Sequence, residues 1–263
     1  MLAEEWPLIV FTLLTQISAG TFLFSGINSL IANKEKNIQK QELIIVFIIG
    51  FLGLIFAFFH LGKPLHAINA LNNLSSSWMS REILFVAIFL LITFVLLLKS
   101  YSILRFKSSL KSLLVLLNII IIIALTYSMI HIYYLPTIIS WNNIFTWYEF
   151  ISCTLILGAL LFLMTEKKHV PSRTIKRIGI MLFILFILNI IVIVNDDFVS
   201  FFTVMSEIVL NSIAMILAIT MLYLYDSNHK NLHTIYTWLL IIALISETIG
   251  RFAFYLGFES AGI

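Results

Sequence analysis

The sequence predicts an all-α integral membrane protein, a bundle of eight transmembrane helices with both termini on the outer side. Three observations predict it. First, the 263 residues are 61% hydrophobic and only 11% charged, with mean hydropathy +1.06. Soluble domains are nearer half apolar and a quarter charged, and a soluble protein has no place to hide so much apolar surface. Second, the apolar residues fall into eight runs close to the roughly 20 residues that cross a hydrocarbon core. Third, the basic residues sort to one side of those runs.

The first run, about 8–31, follows Glu4 and Glu5 where a signal peptide would carry basic residues. It is too long for a signal core and no small-x-small cleavage pattern follows, so a retained helix is expected. The next runs cover about 43–61 and 82–99, the latter short enough to need its interfacial neighbours. Then come 112–134, 147–165, 178–195, 204–225 and 234–256. Backbone polar groups in lipid must be satisfied within the segment, so runs of this length mean helices. Trp6, Trp78, Trp141, Trp147, Tyr133 and Tyr134 lie near the expected ends, as an aromatic belt requires.

Loop charge orients the bundle. Residues 32–42, 99–111, 165–177 and 226–233 hold 13 of the 16 basic residues. Lys63, Arg81 and Arg251 belong to the other side. The positive-inside rule assigns the rich side to the cytoplasm. A multi-pass protein of the cytoplasmic membrane is therefore expected. No boundary, low-complexity tract or repeat is legible, so 1–263 reads as a single transmembrane domain.

The lone cysteine, Cys153, excludes an intramolecular disulfide, a thiolate zinc site and a self-held iron–sulfur cluster. No metal site is expected. His229 and His233 have i, i+4 spacing but sit in a short turn without a third ligand, and His169 is a loop residue. With no Gly-rich phosphate loop either, any chemistry must come from a cofactor or a partner.

Polar residues near the spans carry the functional expectations, because ionisable groups in a membrane are costly. They concentrate in "FFHLGKPLHAINALNNLSSSWMSREIL", residues 58–84. His60 ends the second run, before Pro64 blocks the helix. Its imidazole could accept a proton or hydrogen-bond from a quinol hydroxyl at the interface, or satisfy the helix C-terminus. Arg81 and Glu82 open the third run, with Ser80 as the expected N-cap. Glu82 reads either as a proton acceptor, with Arg81 setting its charge state or positioning a polar ring substituent, or as a first-turn acid favoured by the helix dipole. His131, at the outer end of the fourth run, could join the His60 region or bond at the interface. Glu247 and Arg251, spaced i, i+4, are expected as a structural ion pair. Glu149 and Glu207 read as interfacial acids. Lys63 and His66 read as interfacial.

Three segments resemble the membrane anchor subunit of the dimethyl sulfoxide reductase family: "EEWPLIVFTLLTQISAGTFLFSG", "FHLGKP" with "SSWMSREIL", and "YLPTIISWNNIFTWYEFISCTLILGA". "GRFAFY", near the end, looks like a fourth. The sequence departs from that family's pattern at His131, where an arginine is common, and at Ser140, where a proline precedes the Trp-Asn pair. The resemblance implies an eight-helix anchor that oxidises menaquinol and binds no haem. It implies an iron–sulfur partner subunit with four 4Fe–4S clusters and a molybdopterin catalytic subunit that reduces the terminal acceptor. The family's quinol-linked histidine and glutamate fall on His60 and Glu82; Arg81 and His131 are expected as supporting residues from their own position near the spans. The anchor would thus be a non-catalytic subunit of an oxidoreductase, with its partners on the outer face. Two alternatives remain at this point: a transporter using Glu207, Glu247 and Arg251, and a structural anchor without a quinol site.

Overall fold

A computed structural model describes residues 2–31, 38–60, 73–138, 141–165, 172–194, 201–225 and 232–260. These form eight helices: α1 Leu2–Ile31, α2 Lys40–His60, α3 Trp78–Ser100, α4 Ser108–Tyr133, α5 Ile144–Thr165, α6 Ser172–Val194, α7 Phe201–Tyr225 and α8 Leu232–Ser260. The all-α expectation holds. Seven of the helices are long and apolar enough to cross a membrane; in α7 the described apolar stretch is Ile208–Thr220.

The protein divides into two compact units, Met1–Leu135 and Pro136–Ile263, each of four helices. In the first unit α1 packs on α2, α2 on α3, α3 on α4, and α4 back on α1. Small residues bring α1 and α2 together. A Cβ added at Gly50 would lie 2.8 Å from the Ser18 hydroxyl, and one at Gly53 2.9 Å from that of Thr15. Close approach of this kind is how helices associate where lipid removes the hydrophobic drive. It also lets the Ser18 hydroxyl donate to the Val46 carbonyl at 2.7 Å. Phe22 of α1 meets Phe89 of α3 edge to face, and Asn118 of α4 donates to the Thr93 hydroxyl of α3 at 3.1 Å.

The second unit is closed in the same way, α5 on α6, α6 on α7, α7 on α8, and α8 on α5. Its centre is α5, where Phe150, Cys153, Ile156, Leu157 and Ala159 are fully buried. The Tyr148 hydroxyl donates to the Leu185 carbonyl at 2.7 Å, tying α5 to α6. Trp141, just before α5, stacks on Phe254 of α8 and donates its indole N–H to the Phe254 carbonyl at 2.9 Å. The start of α5 therefore lies beside the end of α8.

The third run begins earlier than the sequence suggests. Its N-cap is Ser77, not Ser80: Ser77 is extended, and its Oγ accepts from the Ser80 N–H at 3.3 Å. Serines at 75, 76, 77 and 80 all suit a cap. The Arg81 bonds described below favour the first turn that leaves Ser75 outside the helix.

Candidate functional site

The beginning of α3 and the end of α4 build one cluster in the first unit. Trp78 and Arg81 are spaced i, i+3, which sets them one above the other on the helix. The Arg81 guanidinium lies 4.1 Å from the Trp78 ring centroid. It also donates from Nε to the Leu74 carbonyl at 2.8 Å and from Nη2 to the Ser75 carbonyl at 2.6 Å. The fork geometry of arginine suits such double donation.

On α4, Tyr127 and His131 are spaced i, i+4, and their rings lie 4.0 Å apart. His131 Nδ1 is 3.0 Å from the Tyr127 carbonyl. Both rings contact Trp78, with centroids at 5.5 Å for Tyr127 and 4.5 Å for His131. Trp78 is thus the shared partner of Arg81, Tyr127 and His131. By sequence Trp78 is only a belt residue; its spacing from Arg81 was the available signal.

Glu82 follows Arg81 in sequence but faces elsewhere. A helix turns about 100° per residue, and Glu82 belongs to the buried stripe that continues through Val86, Phe89, Thr93 and Leu96. It is 5% exposed. The structure therefore separates the two neighbours: Arg81 fastens the turn before α3 and covers Trp78, while Glu82 sits on the inward side of the helix. His60 closes α2, but its side chain lies outside the described residues, as do Lys63, His66, His169, His229 and the side chain of Glu207. At the same end of the unit, Trp6 of α1 meets Phe56 of α2 edge to face at 5.8 Å.

The second unit holds a separate polar cluster. Arg251 is 3% exposed, with its guanidinium 4.0 Å from the Phe150 ring centroid. Glu247 and Arg251 of α8, Glu149 and Ser152 of α5 and Asn189 of α6 line a cavity of about 40 Å³. That is room for a few waters at most. Glu149, Glu247 and Arg251 share one cavity wall. Glu149, an interfacial acid by sequence, thus belongs to the Glu247 and Arg251 group. A series of hydrogen bonds runs on from the cavity wall. Asn189 donates to Asn211 Oδ1 and Asn211 to the Ser246 hydroxyl, each at 3.2 Å. Among the described residues, no three His, Cys, Asp or Glu side chains converge as a metal site.

A family model described as DMSO reductase anchor subunit (DmsC) matches residues 2–257. The C subunit of anaerobic dimethyl sulfoxide reductase from Haemophilus influenzae is 33% identical over 160 residues, 59% of this protein and 56% of its own length. The YnfH subunit of anaerobic dimethyl sulfoxide reductase from Escherichia coli K12 is 29% identical over 160 residues, 60% of this protein and 56% of its own. The C subunit from the same organism is 26% identical over 166 residues, again 60% and 56%. The matched stretch thus spans just over half the length of these curated relatives.

Proposed function

The protein belongs to the DMSO reductase anchor subunit (DmsC) family, and from that premise we propose that it anchors a molybdenum oxidoreductase complex and oxidises menaquinol. The quinol gives up two electrons and two protons. The electrons pass to an iron–sulfur partner subunit, and a molybdopterin catalytic subunit uses them to reduce a terminal acceptor such as dimethyl sulfoxide. Iron–sulfur clusters and molybdopterin belong to those partners; this protein supplies the quinol site and the membrane attachment. Family membership weighs against the transporter alternative.

The observation that carries the residue-level reading is Glu82, a buried carboxyl one helical turn from Trp78, whose ring meets those of Tyr127 and His131. A flat aromatic headgroup packs favourably against such rings. A carboxyl beside it can take a proton as the quinol is oxidised. In this reading His60 and Glu82 accept or relay the two protons. Arg81 and His131 support them by fixing Trp78 and the rim, and Arg81 stabilises the negative charge left on the quinol as the first proton departs.

All eight helices span the membrane in this reading, with both termini and the docked partners on the outer face of the cytoplasmic membrane. Helix lengths of 21 to 30 residues support it, as does the collection of 13 of 16 basic residues on one side.

The test replaces His60→Ala and Glu82→Gln separately in the assembled complex. Quinol-dependent acceptor reduction should fall while reduction driven by an artificial dye persists. Normal quinol-dependent rates in both variants would move the site elsewhere.

A further inference from the structure

At the basic end of the first unit, away from the Trp78 cluster, lies a cavity of about 450 Å³. This is well within the range of small-molecule sites. Three helices bring lysines to it: Lys40 from the start of α2, Lys99 from the end of α3 and Lys111 from the start of α4. Among the described residues that line it, none is acidic. We propose that this cavity binds the phosphate of an anionic phospholipid headgroup.

The turn after α3 builds the site. Ser102 adopts φ 60, the left-handed conformation that ends helices but is uncommon for a residue with a Cβ. Its N–H bonds the Lys99 carbonyl at 2.9 Å, and Ile103 N–H bonds the Leu98 carbonyl at 3.0 Å. The backbone so folded places Ser102 on the cavity wall, beside Lys99. Lys99 is held by the Phe106 carbonyl and lies 4.0 Å over the Phe106 ring, which fixes its ammonium at the rim. An ammonium has three donors, so the bond to Phe106 leaves it others to offer. Lys40 is positioned by the Tyr101 ring at 5.0 Å.

Lysines gathered in one pocket give it a positive potential that favours an anion. An acid at the start of α2, Glu42, is 1% exposed and accepts from the Gln39 N–H at 3.1 Å. The other wall is apolar: Leu43 and Leu96 line it. A free inorganic anion gains nothing from leucine side chains, whereas a lipid brings glycerol and acyl carbon next to its phosphate. Basic pockets between helices on the basic side of a membrane protein are suited to such headgroups.

The test reconstitutes the full-length protein, with any subunits that co-purify, in nanodiscs of equal parts phosphatidylglycerol and phosphatidylcholine. The protein is then extracted into detergent, and its retained lipid is measured by mass spectrometry. Phosphatidylglycerol should be retained over phosphatidylcholine, and Lys99→Gln/Lys111→Gln should lower that preference roughly tenfold. Lys40→Gln changes no residue of the α3–α4 turn and should lower it by a smaller factor, which keeps the proposal testable if the double variant fails to fold. Arg105→Gln/Lys107→Gln removes two charges from the same loop outside the cavity and should change little. An equal loss in that control, or no preference in the wild type, would overturn the site. Displacement of the lipid by a modest excess of inorganic phosphate would overturn the lipid reading in favour of a free anion.

Discussion

The guanidinium of Arg81 lies 4.1 Å over the ring of Trp78, one turn back on the same helix, and bonds two carbonyls of the preceding turn. This residue fixes the rim of the candidate quinol site without facing Glu82. Arg81→Ala removes two charge-assisted hydrogen bonds, each worth roughly 1.5–3 kcal/mol, and a cation–π contact worth about 0.5–2 kcal/mol. The thermal midpoint of the purified complex should drop, and quinol-dependent activity should fall with it. Arg81→Lys, lacking the planar fork, should recover only part of both.

Glu82 is expected to act in proton transfer. General acid–base groups contribute typically about 10²–10⁴-fold. Glu82→Gln should therefore lower quinol-dependent turnover by at least about tenfold in the assembled complex, with dye-linked turnover unchanged. Glu82→Asp should fall between. Steady-state assays with a menaquinol analogue and with a dye donor, on the same preparations, check both halves.

Trp78→Leu removes the common partner of Arg81, Tyr127 and His131. If the rim orients the quinol ring, KM for the quinol analogue should rise more than kcat falls. His131→Phe keeps a flat ring beside Trp78 and should be milder than His131→Ala. A quinol titration of each variant measures the difference.

The α1–α2 contact depends on small residues. Gly50→Ile would drive a branched side chain against Ser18 and Leu90, each already 2.8 Å from the ideal Cβ position. Overpacking of this kind costs about 1–3 kcal/mol. Less protein should accumulate in the membrane, and its unfolding in mixed detergent should come at lower denaturant. Ser18→Ala, which loses the bond to Val46, should cost less, near the ~0.6 kcal/mol average for interhelical bonds in membranes.

Topology can be read by labelling. With Cys153, which is buried, replaced by alanine, a cysteine at exposed Arg105 should react only from the cytoplasmic side. One at exposed Asn142 should react only from the outer side. A membrane-impermeant maleimide on intact cells and on inverted vesicles separates the two.

The sequence by itself determined the class and most of the helices. Run length and loop charge are one-dimensional properties, and a membrane makes both decisive, because unsatisfied backbone is intolerable in lipid. It also marked Glu82, Arg81 and His131, since charge near a span is conspicuous against leucine and isoleucine. Local chemistry limited the details: with serines at 75, 76, 77 and 80, the sequence pointed to Ser80 as the cap, whereas the helix starts from Ser77, with Arg81 bonded to the Leu74 and Ser75 carbonyls of the turn before it.

What only the tertiary structure decided depends on how the helices rotate and which ones touch. Two four-helix units emerged where no repeat was legible. Arg81 and Glu82 separated although adjacent, because α3 buries the stripe that holds Glu82. Glu149 joined Glu247 and Arg251 around one cavity, and Lys40, Lys99 and Lys111 came from three helices to another. A charge bias bears on the side of the membrane expected for each lysine. It carries no angle about a helix axis, and that angle decides which of them meet.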